Sequence, residues 1–318
     1  MYQNSAALYK DNPFPGKLIR YLDNRSKLYS KLFLRLSKKT LFGRQNATRL
    51  RNYYLKNLNR LPKLIIDIGC GTGETTHIVA LAFPEAKVVG IDASQTSIEY
   101  AKKLNHYLNI DNVRFLKKSI SINEKLSEAN NADIIIMSGS LHHFTDPKKI
   151  LKFLANKVQN DGFIEIGVYG RMFECEKNVK QILDEWSNFD TKDKLLAIIK
   201  DLGLERSKNV LKMKKENRFF KSIKSILSFD LSYFGYVLFP HKELSTNIDA
   251  YANPVVHYYN PNTLKDLINV TSYKRIEYIL PKTTYDKNIL YKKMTNYQRF
   301  LFCDAKSLIS MYTVKIWL

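Results

Sequence analysis

The feature that most constrains this chain is the stretch Leu64–Thr76, "LIIDIGCGTGETT", where a run of branched apolar residues ends and three glycines follow at alternate positions. An unbroken branched apolar run is typical of a strand buried on both faces, as in a parallel sheet. Gly69, Gly71 and Gly73 then let the chain turn sharply into a helix and leave its backbone bare. The stretch therefore predicts a strand, turn and helix at which a ligand approaches the main chain.

Residues 63–170 alternate short β-branched runs with segments of helical period. This alternation is typical of βαβ units on a parallel sheet. Ser94 and Asp146 are predicted helix caps, the second followed by Pro147 at the first helical position. The predicted strands are 63–68, 87–92, 113–117, 132–138 and 162–169. The predicted inward faces of the two capped helices are Ile98, Ala101, Leu104 and Leu108, and Ile150, Leu151, Leu154 and Val158.

The flanking segments have a different character. With 318 residues and 45% hydrophobic content, the chain has material for one large core with additions. We predict a basic helical cap at 1–60, the α/β core at 61–170, a helical and aromatic insert at 171–260, and a final helix with two edge strands at 261–318. The insert is interpreted as a lid over the acceptor. Within the last segment, strands at 273–280 and 310–318 are predicted to pair antiparallel, with a helix around 291–307 between them.

The chain is strongly basic, with 51 Lys and Arg against 30 Asp and Glu, a net charge of +21. Residues 1–63 hold 15 of these basic residues and two acids, and a second basic stretch runs over 206–224. Such a charge suits an anionic partner such as RNA or a membrane surface. A compositional bias with solvated helix faces is the alternative, and the one we favour.

Cysteine usage and hydropathy exclude several classes of protein. Cys70, Cys175 and Cys303 are far apart and form no CxxC pair, so we expect neither a disulfide framework nor a structural metal. No apolar run approaches the roughly 18 residues of a membrane span, and the first residues lack the order of a secretion signal. We therefore expect a cytoplasmic protein without a membrane span.

The acids around the glycine turn indicate which ligand it binds. In the dinucleotide fingerprint GxGxxG the third glycine would fall at Glu74, where a carboxylate at the helix start repels a pyrophosphate. Asp67 near the end of the first strand can attract an ammonium group. Asp92, which ends the second strand, can accept hydrogen bonds from both hydroxyls of a ribose. Together these features indicate S-adenosylmethionine.

Four segments resemble the motifs of class I S-adenosylmethionine-dependent methyltransferases. They are "IIDIGCGTG", "VVGIDAS", "ADIIIMSGSLHHFTDP" and "NDGFIEIGVYG". The resemblance implies a Rossmann-like, seven-stranded, mostly parallel sheet with helices on both faces, whose last two strands form an antiparallel edge. The cofactor-binding residues that we predict from the turn and the resemblance are Asp67, Gly69, Cys70, Gly71, Gly73, Asp92, Ala93, Ser119, Ile120 and Ser138.

Two of these positions need comment. Ser119 stands where the family usually has an Asp that contacts adenine, so we expect adenine recognition to depend on the backbone near Ile120. Cys70 lies between two motif glycines, and a small residue at a crowded turn explains it better than a nucleophile does.

A narrower likeness extends to the flanks. "ALYKDNPFPG", "IGVYGR" and "DAYANPVVHYYNPNTLKDLI" are similar to a bacterial subgroup of these enzymes, some fused to tetratricopeptide repeats and some acting on protein lysines. This likeness implies that the following residues surround the acceptor pocket: Tyr9, Phe14, Tyr169, Arg171 and His257.

Methyl transfer from a sulfonium needs mainly alignment and a dry site, with a base for some nucleophiles. His142 and His143, just after the fourth predicted strand, are the candidate catalytic bases. For each of them we favour the alternative that it packs in the turn or faces solvent. Asp146 is interpreted as a helix cap and not as an acid catalyst.

The predicted function is methyl transfer to a nitrogen or oxygen acceptor on a small molecule, a glycan intermediate or a protein side chain. An RNA methyltransferase that uses the basic N-terminal segment is one alternative. A non-catalytic S-adenosylmethionine-binding protein is another. An oxidoreductase is disfavoured by Glu74.

Overall fold

The computed structural model describes residues 13, 18, 22–24, 26–56, 58, 60–122, 126–170, 253, 255–309 and 311–318. Most of the predicted insert, the second basic stretch, Cys175 and three of the predicted pocket residues, Tyr9, Phe14 and Arg171, lie outside these residues.

A seven-stranded sheet forms the centre of the described part of the chain, in the order β3-β2-β1-β4-β5-β7-β6. β1 to β5 run parallel, and β7 pairs antiparallel with both β5 and β6. The predicted antiparallel edge is therefore present. The strands are β1 (Leu64–Ile68), β2 (Lys87–Asp92), β3 (Val113–Lys117), β4 (Ala132–Ser138), β5 (Val158–Tyr169), β6 (Arg275–Ile279) and β7 (Met311–Trp317).

Helices cover both faces of this sheet. Successive strand residues alternate between the two layers: Ile65 packs with helices on one side and Ile66 with helices on the other. The first layer includes α1 to α4 and the second includes α5, α6 and α8. The helices are α1 (Leu28–Lys39), α2 (Arg44–Leu55), α3 (Glu74–Ala82), α4 (Gln95–Leu108), α5 (Pro147–Ala155), α6 (Pro261–Ile268), α7 (Ile289–Lys293) and α8 (Asn296–Ala305).

The predicted helix caps and inward faces agree with the structure, except at Val158. Ser94 Oγ accepts from the Ser97 amide at 3.2 Å, and the Asp146 carboxylate accepts from the Lys149 amide at 3.0 Å. Val158 was predicted on α5, but α5 ends at Ala155 and Val158 begins β5. The single helix predicted around 291–307 is in fact two helices.

That break follows from local capping. Thr295 caps α8 with a reciprocal pair of bonds: its hydroxyl accepts from the Gln298 amide at 3.2 Å, and Gln298 accepts from the Thr295 amide at 2.9 Å. A residue in this role has extended backbone, so α7 cannot continue into α8.

A buried polar cluster connects helix α2 to strands β5 and β7 of the sheet. Tyr53 and Tyr54 donate their hydroxyls to the Glu165 carboxylate on β5, at 2.6 and 3.2 Å. Lys315 on β7 lies directly opposite Glu165 and is 1% exposed. Within the predicted helical cap at 1–60, the described residues include α1 and α2, which pack on the same layer as α3 and α4. The predicted division of the chain into domains stays a prediction.

Among the described residues, the helices are too short or too polar to cross a lipid bilayer.

Candidate functional site

The glycine turn after β1 has the backbone that its sequence predicts. Gly69, Gly71 and Gly73 have φ of +73°, +54° and +78°, a region that glycine adopts without steric cost. A Cβ on Gly69 would lie 2.3 Å from the Ser140 Cβ, and one on Gly73 would lie 2.9 Å from the Ala101 Cβ. Both conformation and space therefore require glycine here, and Gly69 still leaves its backbone exposed.

The turn lies where the strand order reverses. β1 lies between β2 and β4. The chain therefore adds β2 and β3 on one side of β1, and then β4 and β5 on its other side. The Ser140 hydroxyl donates to the Ile68 carbonyl at 2.7 Å and joins the ends of β1 and β4. Gly139, with φ of +82°, has open space where a Cβ would be. In open parallel sheets this is the crevice where ligands bind.

Asp92 at the end of β2 points back at the glycine turn. One carboxylate oxygen accepts from the Gly71 amide at 2.9 Å and the other from the Ser94 amide at 2.8 Å. Burial raises the pKa of Asp92, and these two amides act against the rise. A carboxylate has about four acceptor positions, so each oxygen keeps the capacity to accept from a further donor such as a hydroxyl.

Asp67 is directed into the protein. It is 4% exposed, and Thr76 in α3 donates its hydroxyl to it at 2.6 Å. Burial raises the pKa of Asp67 to about 6, with smaller contributions from the charges of Asp92 and Glu165 and an opposing one from the Thr76 hydrogen bond. A direct contact between Asp67 and a cofactor stays a prediction; the bond to Thr76 fixes β1 to the helix that leaves the turn.

Cys70 and Glu74 lie within the turn and at its end. Cys70 is buried, and burial raises the pKa of its thiol well above the ordinary value, which opposes a nucleophilic role. Glu74 is the first residue of α3 and is 5% exposed. Its carboxylate occupies the helix start where a pyrophosphate would bind in a dinucleotide site.

The other predicted cofactor residues lie at the same edge of the sheet, because the carboxyl ends of parallel strands meet there. Ala93 follows β2 and is half-buried. Ser119, two residues beyond β3, is exposed, and the neighbouring Ile120 packs against the core. Ser138 ends β4 and is exposed.

The two candidate bases have different environments. His142 is fully buried, with its ring centre 3.9 Å from that of Tyr169 and 4.1 Å from that of His143. His143 is half-buried, and its Nδ1 lies 2.9 Å from the Val255 carbonyl oxygen. The packing interpretation therefore fits His142, and His143, whose side chain is less buried as a whole, is kept as the candidate base.

Residues 255–259 run alongside the histidine turn and hold it in place. The His257 amide donates to the His142 carbonyl at 2.9 Å, and His257 Nε2 lies 3.0 Å from the Phe144 carbonyl oxygen. The Tyr259 amide donates to the Tyr169 carbonyl at 2.9 Å. The structure thus brings two of the predicted pocket residues, Tyr169 and His257, beside the candidate bases.

Sequence reasoning missed Ser140 and Thr76. Both are small hydroxyl residues next to motif positions, and their role is visible only once their partners, Ile68 and Asp67, are placed beside them. Within the described ranges, no group of His, Cys, Asp and Glu side chains is arranged to hold a metal ion.

Comparison with known proteins agrees with this geometry. Residues 63–216 match a family model described as a methyltransferase domain. A malonyl-[acyl-carrier protein] O-methyltransferase from Bacillus anthracis is 28% identical over 131 residues, which are 39% of this chain and 46% of that protein. A release factor glutamine methyltransferase from Aliivibrio fischeri is 32% identical over 135 residues, which are 42% of this chain and 45% of that protein. The chain thus matches about half the length of these curated relatives.

A solved structure shares the fold. PKMT2 from Rickettsia typhi superposes with a TM-score of 0.51 and 16% identity, over 86% of this chain and 52% of that chain. This likeness and the observed sheet confirm the predicted Rossmann-like fold class. Over residues 63–216 the chain is therefore similar to methyltransferase domains, the class of enzyme that its sequence motifs indicate.

Proposed function

We propose that the chain transfers a methyl group from S-adenosylmethionine to a nitrogen or oxygen acceptor on a small molecule, a glycan intermediate or a protein side chain. One observation carries the proposal: the exposed backbone of Gly69 and the carboxylate of Asp92, which accepts from the Gly71 amide, lie at the carboxyl ends of the neighbouring strands β1 and β2, with Glu74 at the helix start instead of a phosphate-binding glycine.

The residues of the crevice fit this cofactor. Asp92 keeps an acceptor position on each oxygen, which matches the two hydroxyls of a ribose. The bare turn at Gly69 admits a ligand to van der Waals contact with the main chain. The negative charge of Asp67 below the turn favours a cation above it. Ser119 and the backbone near Ile120 are proposed to contact adenine.

When bound, the cofactor supplies an electrophilic methyl group on a sulfonium. The protein aligns the acceptor with that methyl and excludes water, since the displacement is in line and the leaving group is good. Where the acceptor carries a proton, we assign its removal to His143. With a proton on Nδ1 donated to the Val255 carbonyl, Nε2 is the basic nitrogen of that ring.

The two curated relatives support the choice of acceptor atom. One is named for O-methylation of malonyl-[acyl-carrier protein] and the other for a glutamine of a release factor. Both acceptors are oxygen or nitrogen groups that a carrier or a protein presents. The two names support an oxygen or nitrogen acceptor for this chain.

The test begins with binding of S-adenosylhomocysteine, measured by calorimetry on the full chain. We expect the Asp92→Ala variant to bind at least about tenfold more weakly, because a charge-assisted hydrogen bond contributes about 1.5–3 kcal/mol. Asp111→Ala removes an exposed acid two residues before β3 and is the matched control. Equal affinity in both variants would contradict the proposed cofactor site.

The acceptor is identified by a second experiment. The protein is incubated with labelled cofactor and cell extract, and the labelled product is treated with protease, treated with RNase or extracted into organic solvent. Label that survives RNase but is released by protease or solvent supports the proposal. Label released by RNase assigns the RNA alternative instead, and no transfer with normal binding assigns the non-catalytic alternative.

A further inference from the structure

Helix α1 exposes a row of large apolar side chains. Leu28, Leu32 and Leu36 are 83%, 58% and 36% exposed, and Tyr29 beside them is 51% exposed. The spacing of four residues places the three leucines on one face of the helix. We call these four residues the α1 stripe.

The opposite face of α1 packs on the protein. Ser30, Leu34 and Ser37 are buried, and Leu34 belongs to the core layer that also contains α2 to α4. An ordinary surface helix buries its leucines and exposes its serines. α1 buries two serines and one leucine, Leu34, but leaves Leu28, Leu32 and Leu36 exposed, so these three leucines are available to a partner outside the described fold.

The surroundings of the α1 stripe are basic. Lys27, Lys31, Arg35 and Lys39 are exposed on the same helix or at its start. From Asn24 to Ile66 the chain holds 12 Lys and Arg and no Asp or Glu. The nearest preceding acid, Asp23, pairs with Lys103 at 3.2 Å. The partner is therefore expected to be anionic.

We propose that α1 docks on an anionic lipid surface, with its axis in the plane of the membrane. The α1 stripe enters the boundary between headgroups and acyl chains, and the flanking lysines and Arg35 meet the lipid phosphates. A lipid surface accepts a protruding helix without a preformed groove. Exposed leucines add nothing to the binding of a phosphate backbone, so RNA accounts for the charge but not for the α1 stripe.

Flotation with lipid vesicles tests this inference, with no methyl donor present. The vesicles contain phosphatidylcholine alone, or equal parts of phosphatidylcholine and phosphatidylglycerol. We expect the full chain to float only with the second kind, and to do so more weakly as salt rises. Binding is thus measured independently of cofactor affinity, and the inference stands or fails separately from the proposed activity.

Two variants separate the apolar part of the interaction from the charged part. Leu28→Gln, Leu32→Gln and Leu36→Gln together remove the apolar row and keep good helix formers. Lys31→Glu with Arg35→Glu reverses two charges. Each set is expected to lower vesicle partitioning by at least about tenfold. Circular dichroism and thermal melting verify that both variants fold, as exposed positions should allow.

The matched control is Ile289→Gln with Leu290→Gln. These residues are 71% and 70% exposed beside Lys292 and Lys293, but they belong to α7, next to Tyr291 in the opposite core layer. This control should keep vesicle binding. Three outcomes overturn the proposal: equal binding to both kinds of vesicle, no binding to either, or binding to polyadenylate RNA that the glutamine variant retains while vesicles are ignored.

Discussion

The ammonium group of Lys315 lies 3.6 Å from the ring centre of Tyr53 and donates a hydrogen bond to the Tyr53 carbonyl oxygen at 2.9 Å. Glu165 lies opposite Lys315 on the neighbouring strand and accepts the Tyr53 hydroxyl. A buried cation and a buried carboxylate thus hold helix α2 on the sheet. Burial lowers the pKa of Lys315, and the charge of Glu165 opposes that shift.

Replacing only one of these two charges should destabilise the protein strongly. Lys315→Met leaves Glu165 buried without its opposing charge, and we expect a loss of about 3 kcal/mol in the free energy of unfolding. The double variant Lys315→Met with Glu165→Gln should lose less than the single variant. Urea unfolding of both singles and the double measures this coupling. Strictly additive losses would show that the two groups do not interact.

The close approach of Gly69 and Ser140 predicts a steric rescue. Gly69→Ala should abolish measurable binding of S-adenosylhomocysteine, because its Cβ overlaps the Ser140 side chain. Adding Ser140→Gly removes that overlap but keeps the cost of a positive φ, about 1 kcal/mol. The double variant should therefore recover part of the binding seen by calorimetry. Recovery to wild-type affinity, or none at all, would contradict this account of the turn.

The pKa of Asp67 predicts how stability changes with pH. Its pKa in the folded protein is about 6 against an ordinary 3.8, so the folded state binds this proton more tightly than the unfolded state. Its contribution is therefore present at low pH and is lost as pH rises through that window, by about 3 kcal/mol. Asp67→Asn should lack this loss. Urea unfolding at a series of pH values should show wild-type and variant diverging between pH 3.8 and about 6; parallel curves would contradict it.

His142 and His143 should respond differently to substitution. His142→Ala removes a fully buried ring and should cost about 2–4 kcal/mol of stability. His143→Gln at a half-buried position should cost less stability and slow methyl transfer. If His143 removes a proton, its loss should lower kcat more than it weakens the binding of S-adenosylhomocysteine. Weaker binding with an unchanged kcat would instead assign His143 to positioning.

The sequence predicts most of the sheet because its signals are local. Branched apolar runs and the caps Ser94 and Asp146 act within a few residues, and the structure confirms them. The extent of β5 was not predictable: it begins with the polar segment 158–161, where Asp161 has φ of +66° and the pairing with β4 is irregular. The number of strands and the antiparallel edge came from the family resemblance, and the order of the strands was not predicted, since periodicity carries no information on neighbours.

The candidate site likewise contains some residues that local sequence predicts and others whose environment depends on tertiary structure. Gly69, Gly71 and Asp92 were found from their own residue types and spacing. The burial of His142 was not, because the turn that holds it shows no burial pattern and is covered by a segment more than 100 positions later. His143 contacts Val255 across a separation of 112 residues. Only tertiary structure reveals that the two adjacent histidines differ.

The bond between Lys315 and Tyr53 spans 262 positions of the chain. Helix α2 emerges from the ribosome long before β7, so its tyrosines cannot meet their lysine while synthesis is under way. Helix α2 therefore stays incompletely packed on the sheet until β7 has been synthesised. Completion of the fold therefore requires contact between two segments far apart in the chain. The entropic cost of that contact grows with the length of chain between them.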